Sequence, residues 1–318
     1  MANDNRIRLL AVVGPTASGK TALSISLAKR LGGEVICCDS MQIYKQMDIG
    51  TAKPTAEERG AVLHRLFDFV EPDAAYSCAD YVRDAMQTVE DVTAAGHLPI
   101  LCGGTGLYLD SLLRGGGFEE TVTDTALRAE LQAFAEEHGN HALHARLAEV
   151  DPESAAAIHE NNVKRVARAL EIYLTTGMTK TEADRRSREI ESPYRATVLG
   201  IRFCDRDLLY RRIDRRVDVM LEEGLLEETR RLLEAGVFER NSTAAQAIGY
   251  KELLGYLCGE ESLADAVEQL KRATRRYAKR QMTWFGAKDY VRWINADENG
   301  SMRSPEAILE EALEIAGN

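Results

Sequence analysis

Residues Gly14-Pro15-Thr16-Ala17-Ser18-Gly19-Lys20-Thr21 follow the pattern G-x-x-x-x-G-K-[ST]. No other stretch of the chain restricts its fold as strongly. Such a loop needs a buried strand leading in and a helix leading out, because backbone N–H groups at a helix N-terminus hold the phosphates. Both neighbours are present. Ile7–Val13 is an apolar run of strand length, and the segment from Thr21 carries Leu23, Leu27 and Leu31 on one helical face. The two glycines let the backbone wrap an anion closely. Lys20 adds a mobile cation, and the Thr21 hydroxyl suits a Mg²⁺ ion. A ligand with at least two phosphates is therefore expected on Gly14–Thr21. The loop leaves open what reacts with it.

Strand candidates at Leu9–Val13, Glu34–Cys38 and Leu98–Cys102 alternate with helical segments around 21–31 and 79–95. That alternation predicts an α/β fold, P-loop NTPase-like, with a parallel sheet flanked by helices and ligands at the carboxyl ends of the strands. From about 118 to 190 the strand signal fades, and Ala, Glu, Arg and His dominate. Glycines 115–117 make a hinge into this region and Ser192-Pro193 an exit. Thr197–Phe203 then reads as a strand returning to the sheet. Helical segments around 207–221, 225–235, 262–285 and 304–316 complete the chain. The expected domains are a catalytic core of residues 1–117 and 195–318, interrupted by an all-helical insertion of residues 118–194.

Composition excludes several classes. No apolar run among the 318 residues approaches the length of a membrane span, and Met1–Asn5 lacks the basic and apolar regions of a signal peptide. Six scattered cysteines show no metal-ligand spacing, which favours a reducing cytoplasm and no zinc. A net charge of −11 argues against indiscriminate coating of nucleic acid. Local recognition stays open, because the cations are uneven. Residues 271–280 hold six cations and no acid, and Arg202, Arg206, Arg211, Arg212, Arg215 and Arg216 form a second cluster diluted by aspartates. Either cluster suits a solvated helix face. The lack of i,i+4 acids in the first favours phosphate contact there.

Three segments offer chemistry. Asp39 directly follows the second strand, where a carboxylate projects toward the ligand crevice; it suits a general base, and equally a helix N-cap. Gly103-Gly104-Thr105-Gly106-Leu107-Tyr108 follows the next strand, allowing close ligand approach or forming a plain turn. The helix around 159–173 buries Val163, Val166, Ala167 and Leu170. It carries Lys164 and Arg165 in its first turn, where the helix dipole disfavours cations unless an external phosphate sits nearby.

Together these segments resemble the bacterial tRNA dimethylallyltransferase (tRNA isopentenyltransferase) family. The resemblance runs through Gly14–Thr21, Asp39–Tyr44, Met47-Asp48-Ile49-Gly50-Thr51-Ala52-Lys53-Pro54 and Gly103–Tyr108. It continues through Arg168-Ala169-Leu170-Glu171, Gln246–Glu252 and Tyr277-Ala278-Lys279-Arg280-Gln281-Met282-Thr283-Trp284-Phe285. It implies transfer of a dimethylallyl group from dimethylallyl diphosphate to N6 of the adenosine 3′-adjacent to the anticodon, with that base flipped into a channel. It further implies diphosphate on Gly14, Pro15, Thr16, Ala17, Ser18, Gly19, Lys20 and Thr21, with Mg²⁺ near Thr21. Asp39 is implied as the base, and Thr16 and Arg212 (or Arg216 instead) as supports of the diphosphate. Contacts to the tRNA anticodon stem-loop fall by the same analogy on Asp39, Ser40, Met41, Gln42, Thr105, Arg128, Lys164, Arg165, Val166, Ala167 and Arg168. A cytoplasmic monomer without membrane contact is expected. Three departures stand out: Lys164-Arg165 where many relatives have Gln-Arg, no proline in Gly115–Thr125, and Gly286 after Trp284-Phe285 where Arg is frequent. The main rival is a P-loop small-molecule kinase using ATP, which needs neither the insertion nor the cations of 271–280.

Overall fold

The structure, a computed structural model, describes residues 6–115 and 124–317. Its contacts divide into two compact units, Met1–Leu113 with Pro193–Asn318, and Arg114–Ser192.

The first unit begins with β1 (Ile7–Val13), α1 (Lys20–Leu31), β2 (Gly33–Cys37), α2 (Ala56–Ala61), β3 (His64–Arg65), α3 (Cys78–Ala94), β4 (Leu98–Cys102) and α4 (Gly106–Leu113). The second unit is wholly helical among the described residues: α5 (Thr125–His138), α6 (Asn140–Val150), α7 (Pro152–Ala157), α8 (Val163–Thr176) and α9 (Lys180–Glu189). The chain then returns to the first unit with β5 (Tyr194–Arg202), α10 (Arg206–Glu222), α11 (Leu225–Glu234), α12 (Val237–Arg240), α13 (Lys251–Leu257) and α14 (Leu263–Gly286). It ends with β6 (Val291–Asn295), β7 (Asp297–Glu298), β8 (Ser301–Met302) and α15 (Pro305–Gly317).

Six parallel strands form one sheet in the order β3-β2-β4-β1-β5-β6, with β1 between β4 and β5. Parallel strands need crossovers that cover both faces, so each central strand is apolar on both sides. On β1, Leu9, Ala11 and Val13 pack with α3, α4 and Phe285, while Leu10 and Val12 pack with Leu23 and Leu27 of α1 and Ala312 of α15. A third cluster joins Ile43, Tyr44 and Met47 to α10, α11, α13 and α14 around Tyr250. Burying such a side chain is worth about 1.5–3 kcal/mol, so these clusters fix the loops after β1, β2 and β4 against a rigid wall.

Two features differ from the sequence reading. The returning strand starts at Tyr194, whose register partner is Ile7, so residue 194 belongs to the sheet and not to the insertion. Two strands that the sequence did not suggest complete the sheet, His64–Arg65 beside β2 and Val291–Asn295 beside β5. Gly116 and Gly117, placed in the hinge, lie outside the described residues.

Candidate active site

The loop after β1 takes the form its sequence demands. Gly14 has φ 141° and Gly19 φ 93°, both in the region that favours glycine. A Cβ on Gly14 would also lie 2.6 Å from the Ile201 carbonyl oxygen of β5. Ala17 is left-handed as well, at φ 62°, and is packed among Leu209, Ile213 and Ala278. Holding a non-glycine residue there costs of order 1 kcal/mol or more, which that packing offsets.

Two cavities adjoin this loop. The first, about 280 Å³, is lined by Thr16, Lys20, Thr21, Asp39, Ser40, Met41 and Gln42, with Arg216, Tyr277, Arg280 and Gln281 opposite. The second, about 710 Å³, is lined by Lys53, Arg59, Arg212, Arg215 and Arg216, with Asp48, Glu58 and Glu223 among them. Ala17, Lys20, Thr21, Ala52, Arg216 and Met220 border both. The phosphate loop thus stands between two chambers, each with an excess of cations over acids in its lining. Gly14 and Pro15 are buried behind it.

Lys20 Nζ donates to the Pro15 carbonyl at 2.7 Å. Burial pushes its ammonium down to about 8, against the pull of Cys102 and Asp39, and Arg216 pushes the same way. Asp39 is shifted oppositely. Burial raises its pKa above the ordinary carboxylate range, although the Met41 N–H donates to Oδ1 at 2.9 Å and Lys20 is near. Each is therefore less firmly charged than in water, the state of a grip that awaits an anion and of a carboxylate that accepts a proton readily. Asp39 is not acting as a helix N-cap, since no helix begins until Ala56.

Hydrogen bonds fix the walls. The Thr16 N–H donates to Gln281 Oε1 at 2.9 Å, and Gln281 Nε2 donates to the Gly104 carbonyl at 3.1 Å. Gln281 thus ties α14 to the loops after β1 and β4, and a Cβ on Gly104 would collide with it. That Thr16 amide is engaged by a side chain, whereas the sequence reading had the loop amides free for phosphate. Thr105 Oγ1 accepts from the Ser40 N–H at 3.0 Å and lies 3.3 Å from Ser40 Oγ. Gln42 Nε2 donates to the Thr51 and Ala52 carbonyls at 2.9 and 3.0 Å, so its amide holds the Asp48–Pro54 loop. Glu228, which the sequence did not single out, holds the same loop. Its buried carboxylate accepts from the N–H groups of Asp48, Ile49 and Gly50 and from the Tyr250 hydroxyl.

The arginines of α10 divide the work. Arg212 Nε donates to the Ala17 carbonyl at 3.0 Å and borders only the second cavity. Arg216 borders both, with burial lowering its pKa and the charge of Asp39 among those near it. Within 271–280, Lys271 pairs with Asp218 at 2.6 Å and Arg275 with Asp214 at 2.5 Å. Those acids lie on α10, so the expected cation surface is narrower than the sequence indicated. Arg276, Lys279 and Arg280 form no ion pair with an acid among the described residues.

In the helical unit, Lys164 and Arg165 are exposed in the first turn of α8, which has no side-chain cap. Val166 and Ala167 are 0% and 1% exposed, in the core with Leu143 and Leu147. Their side chains cannot meet a ligand, so these two expected tRNA contacts are withdrawn. Glu171, also 0% exposed on its side chain, accepts from Arg128 Nε at 2.5 Å, Arg168 Nη1 at 2.8 Å and the Asp124 N–H at 2.8 Å. Burial alone would raise its pKa, but these donors outweigh it and hold the carboxyl below its ordinary value.

A phosphate loop at the carboxyl end of β1, with a carboxylate from the end of β2, two strands away, lining the same cavity, defines a P-loop transferase. The profile of the IPP transferase family matches residues 42–288, and that of isopentenyl transferase matches residues 7–68. The chain is 50% identical over 290 residues to a tRNA dimethylallyltransferase of Acetivibrio thermocellus, covering 91% of this chain and 92% of that protein. The crystal structure of the full-length tRNA isopentenylpyrophosphate transferase of Bacillus halodurans superposes with a TM-score of 0.71 at 45% identity, covering 98% and 96% of the two chains. A eukaryotic dimethylallyltransferase acting on tRNA gives 0.79 at 30% identity, covering 98% of this chain and 80% of that one. This chain belongs to the IPP transferase family, the family of the tRNA dimethylallyltransferases.

Proposed function

We propose that this chain transfers the dimethylallyl group of dimethylallyl diphosphate to N6 of the adenosine 3′-adjacent to the anticodon in tRNA, releasing diphosphate. One observation carries the reading: Asp39 shares a chamber wall with Lys20 and Thr21 of the phosphate loop.

The exocyclic amine of adenine is a weak nucleophile, because its lone pair is delocalised into the ring. Reaction at it needs a good leaving group and removal of the amine proton. In the transfer, N6 forms a bond to C1 of the dimethylallyl group, the C1–O bond breaks, and its electron pair leaves on the diphosphate. Lys20, with Gly14–Thr21 around the phosphates, neutralises that departing charge. Asp39 takes the N6 proton, a role that its raised pKa suits. Thr16 supports the diphosphate from the first cavity. Arg212 fixes the Ala17 carbonyl beneath it, and Arg216, open to both cavities, is the better placed of the two to touch it.

Mg²⁺ fits the donors present. The Thr21 hydroxyl borders both cavities, and no cluster of three or more acidic, His or Cys side chains among the described residues could hold a metal alone. Mg²⁺ commonly takes its remaining ligands from substrate phosphates and water. Bound at Thr21, it would supply further neutralisation of the diphosphate.

For tRNA, Ser40, Met41 and Gln42 line the chamber around the flipped base, and Thr105 holds Ser40 in place. Lys164 and Arg165 offer exposed charge to the RNA backbone, while Arg128 and Arg168 are held by Glu171. Among the described residues no helix is long and apolar enough to cross a membrane, and a monomer acting in the cytoplasm completes the proposal.

The test is nucleoside analysis of tRNA after incubation with the protein, Mg²⁺ and dimethylallyl diphosphate. The expected product is N6-dimethylallyladenosine beside the anticodon, one diphosphate being released per adenosine alkylated. Unmodified tRNA, together with γ-phosphoryl transfer from ATP to a small acceptor, would replace this reading with the kinase.

A further inference from the structure

Along one face of α14, Tyr277, Arg280, Gln281 and Trp284 follow one another at helical spacing, and Lys288 continues the line just beyond the helix end. The first three line the inner cavity. Trp284 lies one turn further out, about 6 Å along the axis from Arg280, and outside that lining. It rests on the backbone of Gly106, where any Cβ would collide with the indole ring. Gly106 directly follows Thr105, whose hydroxyl holds Ser40 on the chamber wall.

Large apolar side chains reach solvent beside the outer end of this face. Trp284 is 37% exposed, and Leu107, next in sequence to the Gly106 on which the indole rests, is 48% exposed. Cations accompany the aromatics: the Arg280 guanidinium lies 5.5 Å from the Tyr277 ring centroid, and Lys288 Nζ lies 5.2 Å from that of Trp284. Lys288 is anchored by Asp110 at 2.6 Å. Arg276, Lys279 and Arg280 stay exposed and form no ion pair with an acid among the described residues. An exposed ring with unpaired cations one turn away along the same helix is what single-stranded nucleic acid requires, since a base stacks on the ring while its phosphates meet the cations.

We propose that Trp284, with Leu107, forms a stacking platform for a nucleotide adjacent to the target adenosine in the RNA substrate. The inference rests on the proposed activity, since RNA is the occupant to which it commits. Its physical reason is continuity. An adenosine turned into the chamber leaves its neighbour unstacked at the rim, and the aromatic face at that rim replaces the missing stacking partner. Arg280 and Lys279 then receive the phosphates on either side.

The chain has two tryptophans, so a Trp293→Phe background isolates the fluorescence of Trp284. Titration with an anticodon stem-loop RNA, without the allyl donor, is expected to quench that fluorescence saturably. Trp284→Ala should raise the KM for this RNA about tenfold and leave the KM for dimethylallyl diphosphate unchanged, while Trp284→Phe should recover most of the loss. Leu107→Glu, a surface change that tests the platform without disturbing the packing of Trp284 on Gly106, should also raise the RNA KM. The inference is overturned if RNA leaves Trp284 fluorescence unchanged, if Trp284→Ala and Leu107→Glu keep the wild-type RNA KM, or if the donor KM rises as much. Failure of the wild-type protein to alkylate the RNA would instead strike the proposed activity itself.

Discussion

At the N-terminus of α1 the chain offers an anion one lysine and a set of backbone amides, and no acid of the loop opposes them. At the N-terminus of α8, four cations are gathered in sequence or space, yet two of them, Arg128 and Arg168, are already held by the buried carboxylate of Glu171. Among the described residues no carboxylate lies within ion-pair distance of Lys20, and burial has pushed it down to about 8. The first site is therefore incomplete until a ligand brings negative charge. The second has supplied its own counter-charge and keeps only Lys164 and Arg165 for a partner. The same contrast recurs within α14, where Lys271 and Arg275 are neutralised from α10 while Arg276, Lys279 and Arg280 are not. A cation counts toward ligand binding only when no internal acid claims it.

The largest expected effect lies in the first region. Asp39→Ala should lower transfer by about 10²–10⁴-fold while retaining dimethylallyl diphosphate, as measured by single-turnover assay and equilibrium binding. Near-normal transfer would remove Asp39 as the base.

The pH profile probes the same pair. In the free protein Lys20 loses its proton as pH rises through about 8. Donor kcat/KM should then fall about tenfold per pH unit above that point. Its acid limb, set by Asp39, should lie above the ordinary carboxylate range. Lys20→Met should abolish the alkaline limb. An alkaline limb that survives the substitution would show that another group sets it.

In the helical unit the expected loss is in stability. Glu171→Gln removes a buried charge that two partly exposed arginines share. It should cost about 2 kcal/mol, less than for a fully buried pair because both arginines reach solvent, and urea denaturation measures it. An unchanged midpoint would mean that the charge of Glu171 contributes nothing to the stability of this unit.

The smallest effect separates the two halves of α14. Replacing Arg276 and Lys279 with Ala should flatten the log–log salt dependence of tRNA binding by about one unit of slope for each phosphate no longer neutralised. Replacing Lys271 and Arg275 should leave it nearly unchanged. Equal slopes in both double variants would erase the distinction drawn from Asp214 and Asp218.

Local pattern carried the first unit a long way. Strand β1, the phosphate loop and α1 are written in consecutive residues, each readable from alternation or helical spacing. The carboxylate after β2 was legible because strand ends in such sheets face the ligand. Other features depend on partners far away in sequence. Glu228 holds Asp48–Gly50 across about 180 positions, and Gln281 reaches Thr16 across 265. Neither position differs in sequence from an ordinary helix surface. The ion pairs that narrow the 271–280 cluster join two helices, so the absence of i,i+4 acids within α14 could not reveal them. Strand β6 was missed because its five residues alternate only briefly, with Arg292 outward at the sheet edge. Val166 and Ala167 were included as tRNA contacts by analogy, although their own apolar spacing already placed them on the buried stripe of α8.

Whether the phosphate loop grips a leaving group or feeds a nucleotide reaction is tested most directly by a single-turnover transfer with no nucleotide present. The protein, Mg²⁺, dimethylallyl diphosphate labelled in its allyl group and a substrate tRNA are mixed, and labelled RNA and free diphosphate are counted together. The expected result is label on adenosine N6 and an equal amount of diphosphate, unchanged by added ATP except for competition at the loop. Transfer that requires ATP, or release of γ-phosphate in step with product, would contradict it.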